Sequence, residues 1–350
     1  MPVLSTEAIR GSEVQLRRAH HVLTFILHLY IHSQPPVPAD TTSPIRIPPC
    51  LSIPLIQLSR DLLLPPILTY SDNVLYNWSL PNPALPLSQS NIQIVQTFSQ
   101  TESERHFYLT SARIELRGVE ALDLMRSCMD EAFIGDAISL QRLVKYLIRL
   151  GSVIDDMALL LAEVRDGCDP GVFYNDIRPW FRGWETGARE WLFEGVSAED
   201  QAKYARLSGP SAGQSSLIHA LDVFLGVDHA KHGQAASGGG TFLMKMEMYM
   251  PRHHRAFLTH LRSANQTHVR SLIATSGDPE LEAAYDSAVV ALKRFRDGHI
   301  RIATLYIVSQ ARASGSKPED VRGTGGTSLV PFLKECRDNT LRTSLGREDQ

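Results

Sequence analysis

Apolar residues recur three or four positions apart along most of the chain, which is the spacing of one face of an α-helix. Segments that alternate strictly between apolar and polar residues, as strands do, are scarce. The pattern therefore predicts a mainly α protein. The predicted helices cover residues 12–32, 107–133, 140–166, 171–181, 214–226, 242–250, 253–263, 267–275, 279–308 and 328–345.

Prolines interrupt this pattern near the N-terminus, between residues 35 and 54 and again in LPPIL and PNPALPLS. Proline lacks a backbone donor and restricts the residue before it, so this region is expected to be irregular, with short helices such as LIQLSRDLL. We therefore predict two domains. Residues 1–100 form a smaller, partly irregular domain, and residues 101–350 form a large all-helical domain.

Net charge, apolar stretches and cysteine spacing exclude several classes of partner and site for this protein. The formal net charge is −3 and no long Lys/Arg run occurs, so nucleic acid is not an expected partner. The apolar stretch VLTFILHLYI is too short to span a bilayer, and the first residues do not resemble a signal peptide. Four cysteines lie far apart without a CxxC pair, which is typical of reduced packing cysteines. The sequence predicts a cytoplasmic monomer without a membrane partner.

One histidine breaks the pattern of the longest C-terminal helix. At helical spacing, His299 shares a face with Leu292, Phe295, Ile302 and Tyr306, and it is the polar exception on that face. A buried imidazole needs a partner. It can be a core histidine bonded to a backbone carbonyl, which this helix alone favours, or it can be a ligand of a metal or of haem iron.

Other histidines compete for the role of ligand. His28 and His32 are four residues apart on one helix, but no HExxH motif or third ligand accompanies them. His219 lies on an apolar helix and is interpreted as a core residue. His229 and His232 lie in the polar stretch DHAKHG and are expected to be solvated.

Two glycine-containing loops, residues 207–216 and 313–328, separate the later helices. Glycine permits close approach of the backbone to a ligand, although both loops are equally compatible with simple helix entry. The GTGGT stretch is not a nucleotide-binding signature, because neither GxxxxGK[ST] nor a strand-anchored GxGxxG surrounds it.

Seven stretches taken together resemble the indoleamine 2,3-dioxygenase family. They occur in the order of that family between residues 64 and 334, and with the first helix the resemblance spans roughly residues 17 to 334. The stretches are LPPILTYSDNVLYNW, FYLTS, VFYNDIRPWFRGW, GPSAGQSSLIHALDVFLGV, MYMPRHHRAFL, FRDGHIRIATLYI and RGTGGTSLVPFLK.

The resemblance implies a haem-dependent dioxygenase that opens the indole ring of L-tryptophan to N-formylkynurenine. It implies one haem b per chain, ferrous in the active state, with L-tryptophan and O2 as the partners. The hard chemistry then belongs to the cofactor, and the protein orients the indole. His299, in RDGHIRI, matches the proximal ligand of the haem iron, which favours the ligand interpretation over the core one.

The other site residues follow from the resemblance one at a time. Arg178 matches the arginine that binds the substrate carboxylate, for which a planar guanidinium fork is suited. Ser111 matches a distal serine above the iron. Asp222 and Arg296 match a charged pair near the haem edge; without the resemblance they would be a surface ion pair of little value. The remaining substrate-binding candidates are Tyr70, Phe107, Phe173, Ser211, Ala212 and Thr324.

Three departures from the family pattern keep alternatives open. The stretch before the first matched helix is short, which predicts a truncated small domain. Pro210 stands where glycine is usual, and Pro179 directly follows Arg178 and could shift its helix. The main alternative is a non-catalytic haem-binding or sensor protein derived from the same family. A weaker alternative is a helical scaffold that has lost haem.

Overall fold

The computed structural model describes residues 2–35, 37–38, 43–186, 189–229, 242–265, 269–315, 323 and 328–346. In this part of the chain the fold is mainly α, as predicted. The α-helices are α1 (Glu13–His32), α2 (Pro49–Leu62), α3 (Glu102–Arg117), α4 (Val119–Ile134), α5 (Ala137–Ala162), α6 (Val164–Gly167), α7 (Pro170–Val172), α8 (Ala198–Lys203), α9 (Ser216–Phe224), α10 (Phe242–Glu247), α11 (Arg252–Asn265), α12 (Val269–Ser276), α13 (Pro279–Ala303), α14 (Ser309–Ala313) and α15 (Leu329–Leu341).

Side-chain caps mark where several helices begin. The hydroxyl of Ser12 accepts a hydrogen bond from the Gln15 amide at the start of α1. Thr101 caps α3 in the same way, and the carboxylates of Asp136 and Asp278 cap α5 and α13. These side chains satisfy amides that have no partner within the helix. The predicted starts of α1 and α13 lie within one residue of the observed ones, whereas α3 begins five residues and α5 three residues earlier than predicted.

Helices α5 and α13 form the centre of the larger helical part, and α4 and α15 pack beside them. Their facing side chains are fully buried; they include Leu147, Leu150 and Val153 on α5 and Ala288 and Leu292 on α13. Gly151 of α5 lies against Ser287 and Ala288 of α13, where a Cβ atom would make ordinary contacts of 3.4–3.6 Å. This core holds α13 rigidly, and α13 carries His299.

The single helix predicted for residues 107–133 is wrong, because α3 and α4 are separate helices that meet at Gly118. A Cβ atom at this position would lie 2.1 Å from the Cδ2 atom of Leu217 on α9. Glycine therefore lets α9 pack against the junction between the two helices, and its low helix propensity favours a break there. Apolar periodicity continues through the junction, so the pattern alone could not reveal it.

The N-terminal region contains α1 and α2 packed against each other, followed by irregular chain. The described residues contain four short strands: β1 (Ile45–Ile47), β2 (Trp78–Ser79), β3 (Gln93–Ile94) and β4 (Trp191–Phe193). Strand β1 pairs with β4 in parallel, and β2 pairs with β3 in antiparallel. The β1–β4 pair joins the N-terminal region to a later segment. The division at residue 100 stays a prediction.

Three π-helical turns interrupt the regular structure, at Ser71–Leu75, Phe173–Ile177 and Thr304–Val308. Turns of this kind insert one extra residue into a helical turn and are frequent at functional sites. A 3-10 turn, Arg178–Phe181, follows the second of them directly. Among the described helices, none combines the length and the apolar character that crossing a membrane requires.

Candidate active site

The three π-helical turns surround a pocket between α3, α13 and the N-terminal region. Most of the predicted site residues line this pocket together, although they come from widely separated parts of the sequence. They are Tyr70, Phe107, Ser111, Phe173, Arg178, Ser211, Ala212 and His299. An adjoining pocket shares several of these residues and is also lined by Asp222 and Arg296.

The imidazole of His299 lies in the wall of both pockets. Neither of its ring nitrogens has a hydrogen-bond partner among the described residues. Burial lowers the pKa of His299 to about 4, and the nearby positive charge of Arg296 acts in the same direction. The ring is therefore neutral at pH 7, which is the form that binds a metal ion. An unpartnered neutral imidazole in an apolar pocket is suited to bind haem iron, which it would hold there.

Arg296 lies one helical turn before His299 and forms a buried ion pair with Asp222 on α9. The guanidinium Nη2 donates to both carboxylate oxygens, at 2.7 and 2.6 Å. Nη1 donates to the carbonyl of Cys336 at 3.0 Å and also to the hydroxyl of Thr340. The two residues are thus in contact, as predicted, and the alternative of a surface ion pair is wrong, because Asp222 is 5% exposed and Arg296 is 7% exposed.

His229 adds a third member to this ion pair, because its Nε2 atom lies 3.0 Å from Asp222 Oδ2. The prediction of a solvated His229 is therefore wrong. Burial alone would raise the pKa of Asp222, but the charge of Arg296 and the hydrogen bond from His229 hold it at about 2. This contact could not be predicted from the sequence pattern, since His229 lies in a polar stretch beyond the end of α9.

Aromatic side chains line the same pocket as His299. The rings of Phe107 and Phe173 are 4.8 Å apart between centroids, and Phe173 meets Tyr306 edge to face at 5.6 Å. Ser111 lies one turn after Phe107 on α3, and its hydroxyl donates to the Phe107 carbonyl at 3.2 Å. Side chains of this kind exclude water and offer flat apolar surfaces to an aromatic ligand.

The hydroxyl of Tyr70 is held by an acidic residue, Glu115, that the sequence did not single out. This hydroxyl donates to Glu115 Oε1 at 2.9 Å, and the hydroxyl of Ser215 donates to the same oxygen at 2.6 Å. Burial raises the pKa of Glu115, and the two hydroxyl donors oppose that shift. Glu115 thereby joins α3, the Tyr70 segment and the N-cap of α9. Glu115 lies one turn beyond Ser111 on the same face of α3, and this spacing could have indicated a place near the pocket.

Arg178 lies in the pocket wall at the start of the 3-10 turn, so Pro179 has not turned it away from the other site residues. Its Cζ atom lies 5.6 Å from the ring centroid of Tyr174. Burial is the main reason why the pKa of Arg178 is lowered, and the Tyr174 side chain opposes that shift. A half-buried guanidinium in an apolar wall is a suitable partner for a carboxylate.

The loop that carries Ser211 and Ala212 is held by a close backbone approach. A Cβ atom on Gly209 would lie 1.8 Å from the carbonyl oxygen of Phe181, so this position requires glycine. Ser211 caps the turn by accepting a hydrogen bond from the Gly213 amide at 3.2 Å. Pro210 also lines the pocket. Thr324 lies outside the described residues, whereas its neighbour Gly323 lines the pocket.

The competing histidines have protein partners. His28 donates from Nδ1 to the Trp180 carbonyl at 2.7 Å and accepts at Nε2 from the Leu68 amide at 3.3 Å. His32 faces the carbonyl of Arg182, and His219 is buried against the carbonyl of Gly213. His232 lies outside the described residues. Within the described ranges, no group of three His, Cys, Asp or Glu side chains is arranged to hold a metal ion.

Comparisons with known proteins assign the chain to a family. The sequence model of indoleamine 2,3-dioxygenase matches residues 1–343. An indoleamine 2,3-dioxygenase of Saccharomyces cerevisiae is 34% identical, with 98% of this chain and 82% of that protein covered. Indoleamine 2,3-dioxygenase 2 of Homo sapiens is 35% identical, with 99% of this chain and 83% of that protein covered. A myoglobin of Haliotis madaka is 29% identical, with 97% of this chain and 84% of that protein covered.

The family match extends over nearly the whole chain, and the pocket brings together the residues that the resemblance had singled out. The helical fold, the neutral imidazole of His299 and the buried ion pair beside it agree with that match. This chain therefore belongs to the indoleamine 2,3-dioxygenase family of haem-dependent oxidoreductases.

Proposed function

We propose that this protein is a haem-dependent dioxygenase that opens the indole ring of L-tryptophan to N-formylkynurenine. One observation carries the proposal. A neutral imidazole without a hydrogen-bond partner among the described residues, His299, shares an apolar pocket with a half-buried arginine, Arg178. The first group suits haem iron, and the second suits the carboxylate of an amino acid.

We assign His299 as the protein ligand of one ferrous haem b per chain. When bound, the haem supplies the activation of dioxygen, which the side chains cannot supply themselves. Arg296 and Asp222 lie beside the same pocket. A guanidinium has five N–H groups, and four of those of Arg296 donate to Asp222, Cys336 and Thr340. The remaining Nε–H group can bind a haem carboxylate.

The chain's own residues bind and orient L-tryptophan. Arg178 holds the carboxylate by a two-donor contact, while Phe107 and Phe173 pack against the indole. Tyr70, Ser211 and Ala212 complete the wall, and Thr324 is assigned to the amino and carboxylate end of the substrate. Holding the indole in one orientation at a dry site contributes to the rate by proximity.

Ser111 is the polar group of the α3 wall. Its hydroxyl proton is directed to the Phe107 carbonyl, so its oxygen remains available as an acceptor toward the pocket. It can orient a donor of the substrate, such as the indole N–H. The overall reaction needs no proton from the protein, because L-tryptophan and O2 add to give N-formylkynurenine with both oxygen atoms retained.

A second candidate is a non-catalytic haem-binding protein, and the relative named myoglobin favours it, because relatives of this chain are not all named as dioxygenases. Aerobic turnover of L-tryptophan by the haem-loaded chain under reducing conditions separates the two. A dioxygenase produces N-formylkynurenine. A haem-binding protein shows the haem absorption band and binds O2 without product. Absence of the haem band would contradict both. A monomer in the cytoplasm is part of the same proposal.

A further inference from the structure

A buried histidine and a buried aspartate that do not line the pocket hold one of its walls. Nδ1 of His20 on α1 lies 2.9 Å from Oδ1 of Asp72, which belongs to the first π-helical turn. His20 is 0% exposed and Asp72 is 4% exposed. Tyr70, Asn73 and Val74, on either side of Asp72, line the pocket.

The hydrogen bonds fix the protonation of this pair. The other ring nitrogen of His20 faces the carbonyl oxygen of Pro65 at 3.2 Å, and a carbonyl can only accept. Oδ2 of Asp72 accepts from the amide and the hydroxyl of Thr69, at 2.9 and 2.7 Å, which favours the ionised carboxylate. Both ring nitrogens of His20 therefore carry a proton, and the pair is an imidazolium bonded to a carboxylate.

None of the other charged or titratable groups described near the pair takes the place of His20 as the positive partner of Asp72. Burial lowers the pKa of His21, and it lowers the pKa of His28 to about 3. Both of these rings therefore stay neutral. Arg18 acts on His21 by its charge. His20 is thus the positive partner of Asp72 inside the protein. A buried ion pair contributes little net stability, but breaking it by removing one partner is costly.

We propose that His20 and Asp72 are positioning residues, which fix the Tyr70–Val74 wall against which the substrate binds. The inference rests on the proposed function for its consequence, because the wall serves a substrate only if the pocket binds one. Asp72 ties the turn to α1, while the amide of Tyr70 donates to Gln214 Oε1 at 2.8 Å and its hydroxyl donates to Glu115. Neither His20 nor Asp72 contacts the reacting atoms.

The pair has a defined pH window. Burial alone would lower the pKa of His20, but Asp72 raises it above its ordinary value, so the contribution of His20 is complete below about pH 6.5 and is lost as the pH rises through the raised pKa. Burial alone would raise the pKa of Asp72, but His20 lowers it. The contribution of Asp72 is present above its ordinary pKa of 3.8 and is lost as the pH falls through the lowered one.

The test compares His20→Gln, Asp72→Asn and the double variant in the haem-loaded protein. The control is Thr24→Val, on the same helix and also 0% exposed, because the Thr24 hydroxyl donates within α1, to the carbonyl of His21. The first readout is amide hydrogen exchange of Thr69–Leu75, referenced to amides of α5 and α13 in the same sample. The second readout is the Kd of L-tryptophan, measured by the shift of the haem absorption band.

Each single substitution is expected to accelerate exchange of Thr69–Leu75 about tenfold or more relative to the reference amides, and to raise the Kd about tenfold. The double variant should lose less than the sum of the two. Wild-type exchange of this segment should rise with pH above about 6.5 beyond its intrinsic rate, and His20→Gln should abolish that excess.

Unchanged relative exchange in the single variants would overturn the inference, and so would equal effects of His20→Gln and Thr24→Val. Faster exchange with an unchanged Kd would reduce the pair to a structural role and would also overturn it. If a variant fails to fold, the pH dependence of wild-type exchange decides. Wild-type protein that does not bind L-tryptophan contradicts the proposed function instead, and the exchange measurement still tests whether the pair fixes the wall.

Discussion

At the scale of single residues, the site depends on which polar groups are left facing the pocket. His299 has no hydrogen-bond partner among the described residues, whereas His28 and His219 have backbone partners. A ring nitrogen that lies in an apolar pocket without a protein partner is available to bind a metal ion. The difference separates a ligand histidine from core histidines, and it could not be read from the sequence, where all three lie on apolar helices.

Replacing His299 with alanine is predicted to abolish stable haem binding, because the iron loses its protein ligand. Haem content and the ferrous absorption spectrum measure the effect. The control is His260→Ala, an exposed histidine on α11. Free imidazole should restore the spectrum of His299→Ala, since it can occupy the space of the lost ring. Normal haem content in the variant without added imidazole would refute the ligand assignment.

Replacing Arg178 with lysine is predicted to weaken L-tryptophan binding and to leave haem binding unchanged. The carboxylate requires two parallel donors, and lysine provides a flexible point charge. A charge-assisted contact of this kind contributes roughly 1.5–3 kcal/mol, so the Kd should rise roughly tenfold or more. Tryptamine, which lacks the carboxylate, should bind poorly and respond little. Equal losses for both ligands would mean that Arg178 acts through folding.

Asp222 and Arg296 are predicted to act as one unit. Asp222→Asn leaves Arg296 as a buried, uncompensated charge, and Arg296→Gln leaves the buried Asp222 with His229 alone, so each substitution should reduce haem retention strongly. The double variant should lose much less than the sum of the single losses. Haem dissociation rates of the four proteins measure the coupling. Strictly additive effects would argue against a functional pair.

At the scale of elements, apolar periodicity predicted the long helices well because their burial follows one face. It joined α3 to α4, since a glycine needed for close contact with α9 has no signature in the pattern. It also could not reveal the π-helical turns at Ser71–Leu75, Phe173–Ile177 and Thr304–Val308. The first of these turns is held by a contact with a distant residue, the hydrogen bond between His20 and Asp72, which residue propensity does not reveal.

The loop before α9 is predicted to be intolerant of a side chain at Gly209. A Cβ atom there meets the Phe181 carbonyl at 1.8 Å, so Gly209→Ala must move backbone in the segment that carries Arg178 or in the loop that carries Ser211. We expect a loss of about 2–3 kcal/mol in unfolding free energy, together with weaker haem binding. Gly11→Ala, with no atom within 4 Å of the added carbon, is the control and should change stability little. Equal stabilities of the two variants, measured by denaturant unfolding, would contradict the close approach.

At the scale of the whole molecule, the site is assembled from α3, α9, α13 and the N-terminal region, which are far apart in the sequence. Single motifs did not identify it: Arg178 would have passed for an exposed helix charge, and His299 for a core residue. The order of seven stretches along the chain gave the family resemblance, and the fold brings their residues to one pocket. Glu115, His229 and the pair of His20 and Asp72 were missed, because each acts through a contact with a distant partner.

The central claim is that the haem-loaded chain adds both atoms of one dioxygen molecule to L-tryptophan. The most direct measurement is the mass of N-formylkynurenine formed under isotopically heavy dioxygen in ordinary water. We predict that the product retains two heavy oxygen atoms and that His299→Ala forms none of it. Product with one heavy atom or none, or haem-loaded protein that binds dioxygen and forms no product, would contradict the account.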